Sequence, residues 1–406
     1  MSKIAIVGGG AAGMMAAVGI LEKSKSHEIY LIEKNPILGR KVIISGGGRC
    51  NVTTGYTDLK EVLKSYPRGG KFLKTAMYNF PSNELYKWVE KQGVPLKVEK
   101  DMRVFPVSND GKDIVGIFEK IFEKENINVL FKKAVKGIKK SEDKFILDLE
   151  TEKLEVDKVI LTTGGQAYRH TGSTGDGYSL AENLGHSCTN LAASLSSYIV
   201  EEDWVKELTG VSFPNVQIKF SNKHKFIGPI LFTHRGISGP ATFALSSLAA
   251  FEEFDRETLY IDFVPDKNYE DVKNLIEQYS KANPKKSFYF NLAQFFSKSM
   301  AKSICTNLGI SQEKVCQELS HKDLNKSIEA IKNSSITLTG KTPGDEFVTA
   351  GGVKLEEVNA KTMESRICPG LYFAGELLDI DGFTGGYNLQ VAWCTGKLAG
   401  ESAGEI

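Results

Sequence analysis

The chain has no C-x-x-C pair: its six cysteines are scattered at positions 50, 188, 305, 316, 368 and 394. That spacing excludes a dithiol redox centre and a zinc knuckle, and reduced, mostly buried thiols are expected. The six histidines form no H-E-x-x-H or comparable pair, so no metal site is expected. No G-x-S-x-G is present, which removes the nucleophile elbow of a serine hydrolase. Neither sign of charge is in excess: 51 basic and 50 acidic residues leave a formal net charge of +1. Nothing in that balance draws the chain to nucleic acid or to a membrane surface, and neither is expected as a partner. Long apolar runs are also missing. Ile4 to Leu21 is uncharged but broken by glycine, and Gly236 to Phe251 carries Ser, Gly and Pro. Neither is a convincing spanning helix, and a cytoplasmic location is expected.

What the chain does have stands at its start. Lys3 to Val7 is an apolar strand and Gly8-Gly9-Gly10-Ala11-Ala12-Gly13 a tight turn. An apolar helix follows, and Glu28 to Lys34 reads as a second strand carrying Glu33. Gly8, Gly10 and Gly13 fit G-x-G-x-x-G, and Glu33 lies 33 − 13 = 20 residues beyond the last of them. Gly8 suits the sharp turn, Gly10 lets a pyrophosphate approach the main chain, and Gly13 lets the helix pack on the sheet. The free N–H groups at the helix start attract phosphate, and a carboxylate at the distance of Glu33 can accept ribose hydroxyls. The unit is therefore a dinucleotide site, with the dinucleotide itself still open.

Residues 58–92 read as mainly helical and 111–125 as an amphipathic helix. Short strands follow near 129–131, 134–138, 145–149 and 156–162, the last running into Thr162-Thr163-Gly164-Gly165. A buried strand entering a glycine turn is where ligands sit in open α/β sheets. Residues 191–265 are β-rich, with one apolar helix from Pro240 to Phe251, and 266–335 are helical and Lys-rich. Strands return near Ile336 to Thr339, Phe347 to Thr349 and Val353 to Leu355. No repeat or low-complexity linker interrupts the chain. The expected organisation is a nucleotide-binding domain in two parts, 1–190 and 336–406, with a substrate domain, 191–335, inserted between them.

Two further segments bear on the cofactor. Leu371 to Ala374 is a buried strand, Gly375-Glu376 turns out of it, and Gly385-Gly386-Tyr387-Asn388 opens a last helix. A second glycine-lined helix start suits a cofactor with a second electron-rich end, such as a flavin with charge near N1 and O2. Between the two ends, Gly39-Arg40-Lys41 leads to Ser45-Gly46-Gly47-Gly48-Arg49-Cys50-Asn51. The three glycines allow backbone to lie flat against a planar ring, while Arg40, Lys41 and Arg49 can reach phosphates or a carboxylate.

Together these segments, with Leu231-Phe232-Thr233-His234, Gly236-Ile237-Ser238-Gly239-Pro240 and Thr384-Gly385-Gly386-Tyr387-Asn388-Leu389-Gln390, resemble one family. It is the bacterial FAD-dependent oxidoreductases of the two-dinucleotide-binding-motif superfamily that include aminoacetone oxidases and bile-acid dienone reductases. The resemblance spans nearly the whole chain and implies an α/β fold. In that fold a Rossmann-like FAD-binding domain (GR2-type) is interrupted by an inserted β-barrel plus a helical segment, which together roof the flavin. It implies FAD bound non-covalently, with Gly10, Ala11 and Ala12 on the pyrophosphate and Glu33, beside Lys34, on the ribose. It further implies Val135 near the adenine, Thr163 and Gly164 along the cofactor, and Arg49 to Asn51 with Gly386 to Leu389 near the isoalloxazine. Ser45, Gly47, Gly375 and Glu376 complete the expected cofactor site.

Flavin exchanges a hydride at N5, so the protein must place a substrate over that atom and manage one proton. His234 is the expected proton carrier and Arg235 the anion holder, with Tyr387 a further acid. Arg235 departs from the family pattern. Cys50 beside Arg49 is open to a lowered pKa, although without a second Cys a small flavin-facing role suits it better. Tyr168, Arg169 and His170 follow the Gly164-Gly165 turn and are candidates for the pocket lining. No second G-x-G-x-x-G is present, so NADH or NADPH would visit transiently, or O₂ would serve instead. Three functions follow: an NAD(P)H-linked reductase of a conjugated C=C in a small organic substrate, which the resemblance favours; an amine oxidase giving H₂O₂; and a flavin-binding or RNA-associated protein without turnover, against which the net charge speaks.

Overall fold

A computed structural model of the chain describes residues 1–220 and 224–405. It divides into two units, Met1–Ser194 with Glu346–Ile406, and Leu195–Asp345. The first is built on a parallel sheet in the order Leu371–Phe373, Lys158–Leu161, Lys3–Val7, Glu28–Glu33, Asn128–Phe131. The central strand is apolar from Ile4 to Val7, and Ile4, Ala5 and Ile6 are fully buried. This is how a strand covered on both faces reads.

The first helix, Ala11–Lys23, buries every residue from Ala11 to Ile20. Burial all round requires a second layer, and the terminal helix, Tyr387–Ala403, supplies it. Gly396 and Gly400 are the reason it packs so closely. A Cβ at Gly396 would stand 2.3 Å from the carbonyl of Ala12, and one at Gly400 2.0 Å from that of Ala16. The two contacts advance together along both chains, so the helices run parallel.

The second unit is a closed antiparallel barrel of six strands: Tyr198–Val200, Gly236–Ser238, His224–Phe232, Ser212–Phe220, Glu257–Asp262 and Ser334–Lys341. Aromatic rings fill it, with Phe213 4.8 Å from Phe263 and 5.8 Å from Phe232. Helices Tyr269–Ala282, Phe288–Leu292, Lys298–Leu308 and His321–Lys332 complete the unit. Capping boxes at Asn268 with Asp271 and at Ser320 with Asp323 start two of them.

Some local expectations change. The strand around Ile336, read as part of the nucleotide-binding half, is the last stave of the barrel. Its alternation is that of any half-buried strand, and only the partner strand tells the two homes apart. Val353 to Leu355 is not a strand. Val353 is held instead by single bridges to Cys188 and Leu378, and a 3-10 turn, Leu355–Glu357, follows. Arg40–Ile44, just before the glycines, is a short helix.

Candidate functional site

The first helix opens at the carboxyl end of the central strand. Gly8 lies at φ +109 and a Cβ on Gly13 would meet the Gly8 carbonyl at 1.9 Å, so the turn admits no side chain at either place. Gly10 differs: its backbone is at φ −80, and a Cβ there would meet nothing within 4 Å. That open space in front of unpaired helix N–H groups is where an anion can approach. Beside it Gly375 donates its N–H to Thr395 Oγ1 at 3.0 Å, and a Cβ there would stand 2.9 Å from that of Ala12. Thr162 Oγ1 donates to the Gly8 carbonyl at 2.9 Å and ties the next strand to the same turn.

The parallel helix pair sets a second electropositive point. Ala12 lies level with Gly396, so Tyr387 begins the terminal helix eight residues earlier than the first helix begins, about 12 Å at 1.5 Å per residue. Two helix N-termini facing one way at that offset offer partial positive charge to both halves of an extended dinucleotide.

A model of one family, described as HI0933-like protein Rossmann domain, matches residues 2–402. The chain belongs to this family. HI0933-like proteins are FAD-dependent oxidoreductases, and the chain is an enzyme of that class. It is 28% identical to a 3-dehydro-bile acid delta(4,6)-reductase of Clostridium scindens, over 100% of both chains. It is 32% identical to a ribosomal RNA dihydrouridine synthase of Escherichia coli, over 96% of this chain and 94% of the other. Among solved structures, a 3-ketosteroid-delta4-(5alpha)-dehydrogenase from Rhodococcus jostii aligns over 100% of this chain and 97% of its own, with TM-score 0.51 and 14% identity. That likeness is one of fold.

The HI0933-like family implies FAD, and the residues fit it. Gly10 leaves the pyrophosphate approach open. Gly47 and Gly48, at φ +73 and +88, would carry a Cβ into open space, leaving bare backbone for a planar ring. Thr163 Oγ1 is buried without a hydrogen-bond partner beside Gly164. Val135 is half-buried after the strand Asn128–Phe131. Ala11 and Ala12 are buried in the first turn of the helix.

Several candidate side chains are already engaged. Glu33 is buried, with Oε2 accepting from Gly9 N at 2.7 Å and Oε1 from Asn35 N and Nδ2 at 2.7 and 2.8 Å. A carboxylate has roughly four acceptor positions, so Oε2 retains capacity for a ribose hydroxyl. Lys34 pairs with Asp176 at 2.6 Å, Lys41 with Glu376 at 2.6 Å and Arg49 with Glu99 at 2.7 Å. Arg49 also lies 3.8 Å over the ring of Phe105. Arg40 is exposed and bonds to Asn35 at 3.2 Å. Ser45 donates to the Val42 carbonyl at 2.8 Å and ends a helix, while Asn51 Oδ1 accepts from Val104 N at 3.3 Å.

Cys50 requires a correction. Its thiol is fully buried, and burial pushes its pKa up to about 12, so a reactive thiolate is excluded. Asn388 uses its amide as a clamp, accepting from Gly382 N at 2.8 Å and donating to the Gly382 carbonyl at 2.8 Å. Tyr387 is buried edge-on against Tyr66, whose hydroxyl donates to the Tyr387 carbonyl at 2.9 Å. Gly386 lies against the Thr53 backbone, and Leu389 is half-buried behind it. Tyr168 stacks on Phe347, with His170 against its edge, and Arg169 donates to Gln166 at 2.8 Å.

His234 and Arg235 belong to the second unit. They occupy the tight turn between the strands His224–Phe232 and Gly236–Ser238, closed by Thr233 N donating to the Gly236 carbonyl at 2.7 Å. Both side chains are exposed.

Sequence reasoning missed the supports of the terminal helix. Gln390 is fully buried, accepts from Thr53 Oγ1 at 2.6 Å and donates to the Phe80 carbonyl at 2.8 Å. Trp393 donates to the Val52 carbonyl at 3.0 Å. Asp381 is fully buried and pairs with Arg68 while accepting from Ser194 at 2.8 Å. A lone Gln in an apolar helix is a usable signal, because a buried amide needs partners.

Proposed function

We propose that the chain is an FAD-dependent reductase that saturates a C=C conjugated to a carbonyl in a small organic substrate, with electrons supplied by NADH or NADPH. The observation that carries this reading is the pair of relatives matched along nearly the whole chain. One is a delta(4,6)-reductase of a 3-dehydro-bile acid and the other makes dihydrouridine. Both names describe adding a hydride and a proton across a double bond conjugated to a carbonyl. Bound FAD supplies hydride exchange at N5. The chain's residues supply the rest. Gly10 to Ala12 would hold the pyrophosphate, with Thr163-Gly164 and Gly375 along the cofactor and Gly47, Gly48 and Gly386 against the ring. His234 would deliver the proton to the α-carbon while a hydride reaches the β-carbon, and Arg235 would hold the carbonyl oxygen as charge develops on it. In support, both side chains are solvent-exposed at a turn and make no hydrogen bond among the described residues.

A uracil ring carried on RNA is a second reading, favoured by the 32% identity to the ribosomal RNA dihydrouridine synthase. It reopens nucleic acid as a partner, against which the near-zero net charge speaks. Anaerobic stopped flow tests both. NADH or NADPH should bleach the flavin, and a steroid dienone or a uridine-containing RNA should restore its colour. An enzyme bleached only by amines and recoloured only by O₂ is an oxidase, and the proposal fails. His234→Ala should keep FAD and slow recolouring at least about tenfold; an unchanged rate removes His234 from proton transfer.

A further inference from the structure

Net charge conceals a segregated stretch. From Gln278 to Gln312, 35 residues carry five lysines, at 281, 285, 286, 298 and 302, and no Asp or Glu. Six aromatic residues, Tyr279, Phe288, Tyr289, Phe290, Phe295 and Phe296, are interleaved with them. The stretch lies in the second unit and covers the end of Tyr269–Ala282, the short helix Phe288–Leu292 and the helix Lys298–Leu308.

All five lysines are exposed. Lys281 has a weak partner in Glu277 at 3.7 Å. Lys285, Lys286, Lys298 and Lys302 have no carboxylate partner among the described residues, in contrast to Lys34, Lys41 and Arg49 of the first unit. The turn that carries Lys285 and Lys286 is fixed in place. Lys286 N donates to the Asn283 carbonyl at 3.1 Å, Gln317 N to that of Pro284 at 3.1 Å and Cys316 N to that of Lys286 at 2.9 Å. Lys286 Nζ sits 5.1 Å from the ring of Phe290, which is 40% exposed. Gln294 donates to the Phe290 carbonyl, and Phe295 packs edge-on against the partly exposed Tyr279 at 4.8 Å. Lys298 and Lys302 follow on one face of the next helix, a turn apart.

We infer that this face docks RNA, with the lysines on phosphates and the Phe290 ring as a stacking surface for a base. Unpaired lysines beside exposed rings are the combination that single-stranded nucleic acid takes, since every base has a π-face and every nucleotide a charge. An anionic lipid surface fits less well. The helix Lys298–Leu308 turns its apolar side, Met300, Ala301, Ile304 and Cys305, into the core of its own unit and has no apolar stripe left to insert. Asn283, Ser287 and Gln294 around the rings are polar. The inference rests in one respect on the second reading above, in which the conjugated carbonyl substrate is a uracil ring carried on RNA.

The test separates docking from turnover. Fluorescence anisotropy with a labelled, uridine-rich single-stranded RNA should show binding by the FAD-loaded enzyme that weakens with salt. Lys285→Glu/Lys286→Glu/Lys298→Glu/Lys302→Glu should weaken it at least about tenfold and reduce the log–log salt slope by about 3, at roughly 0.7 per phosphate contact. Phe290→Ala should weaken it about fivefold or more. Both variants should keep the flavin spectrum and the wild-type rate of recolouring by a small enone, which shows them folded. Loss of docking supports the inference even if the small enone is never turned over, an outcome that would overturn the reductase reading alone. Binding as tight in the fourfold variant as in the wild type overturns the inference. So does lysine-dependent binding to phosphatidylserine vesicles without binding to RNA.

Discussion

Gly10 and His186 are single positions, one read through cofactor retention and the other through the pH dependence of stability. At Gly10 the backbone is ordinary and the space in front is open, so Gly10→Val should leave the apoprotein's melting temperature unchanged while abolishing FAD retention. Thermal melting with and without added FAD checks both halves; a variant that still gains stability from FAD would remove Gly10 from the cofactor site. His186 is buried, with Nδ1 3.0 Å from Glu357 and Nε2 2.8 Å from Ser365 Oγ. Ser365 Oγ already accepts from Ile367 N and Cys368 N, so its proton goes to Nε2 and the ring is neutral. Burial holds the imidazole below its ordinary 6.5, against the opposing pull of Glu357. The unfolded chain therefore takes up the proton first. The stability this contributes is complete above about pH 6.5 and is lost as pH falls through the lowered folded value. Between about pH 7.5 and 5.5 the melting temperature should fall more steeply for the wild type than for His186→Gln. Parallel slopes would show that the ring does not titrate differently on folding.

The parallel pair of helices is the element on which the site depends. Gly400 has its missing Cβ 2.0 Å from the Ala16 carbonyl, and no rotamer of a larger residue relieves a clash with backbone. Gly400→Leu should cost about 1–3 kcal/mol or more, read as a lower denaturation midpoint, and should loosen FAD. A Leu at Lys60, on an exposed helix surface, is the control and should change neither. The glycine turn before the first helix was legible because its constraint is local: four glycines within six residues and a carboxylate 20 further on. The helix-to-helix contact was not, since Gly396 and Gly400 meet residues more than 380 positions away, and spacing says nothing about which helix they face. Gln390 escaped for the same reason, its partners being Thr53 and Phe80.

Among the described residues two hydrophobic cores form, one in each unit. Calorimetry should resolve two transitions, and saturating FAD should raise the one belonging to the nucleotide-binding unit, by RT ln(1 + [L]/Kd). A single transition that FAD shifts as a whole would mean that the cores melt together. The balance of 51 basic and 50 acidic residues is likewise a whole-chain average that conceals the lysine-rich stretch of the second unit.

By itself the sequence determined what depends on neighbours along the chain: the strand–turn–helix of a dinucleotide site, the apolar central strand, and the α/β class. Tertiary structure decided what depends on partners far apart. It neutralised Lys41 with Glu376, 335 residues away, and Arg49 with Glu99, so that loop cations read as phosphate ligands are already paired. It buried Cys50 beyond reactivity and gave the strand at Ile336 to the barrel. Backbone propensity and periodicity act over a few residues and leave a signature in order. Charge pairing and desolvation act through space, and only the folded chain sets those distances.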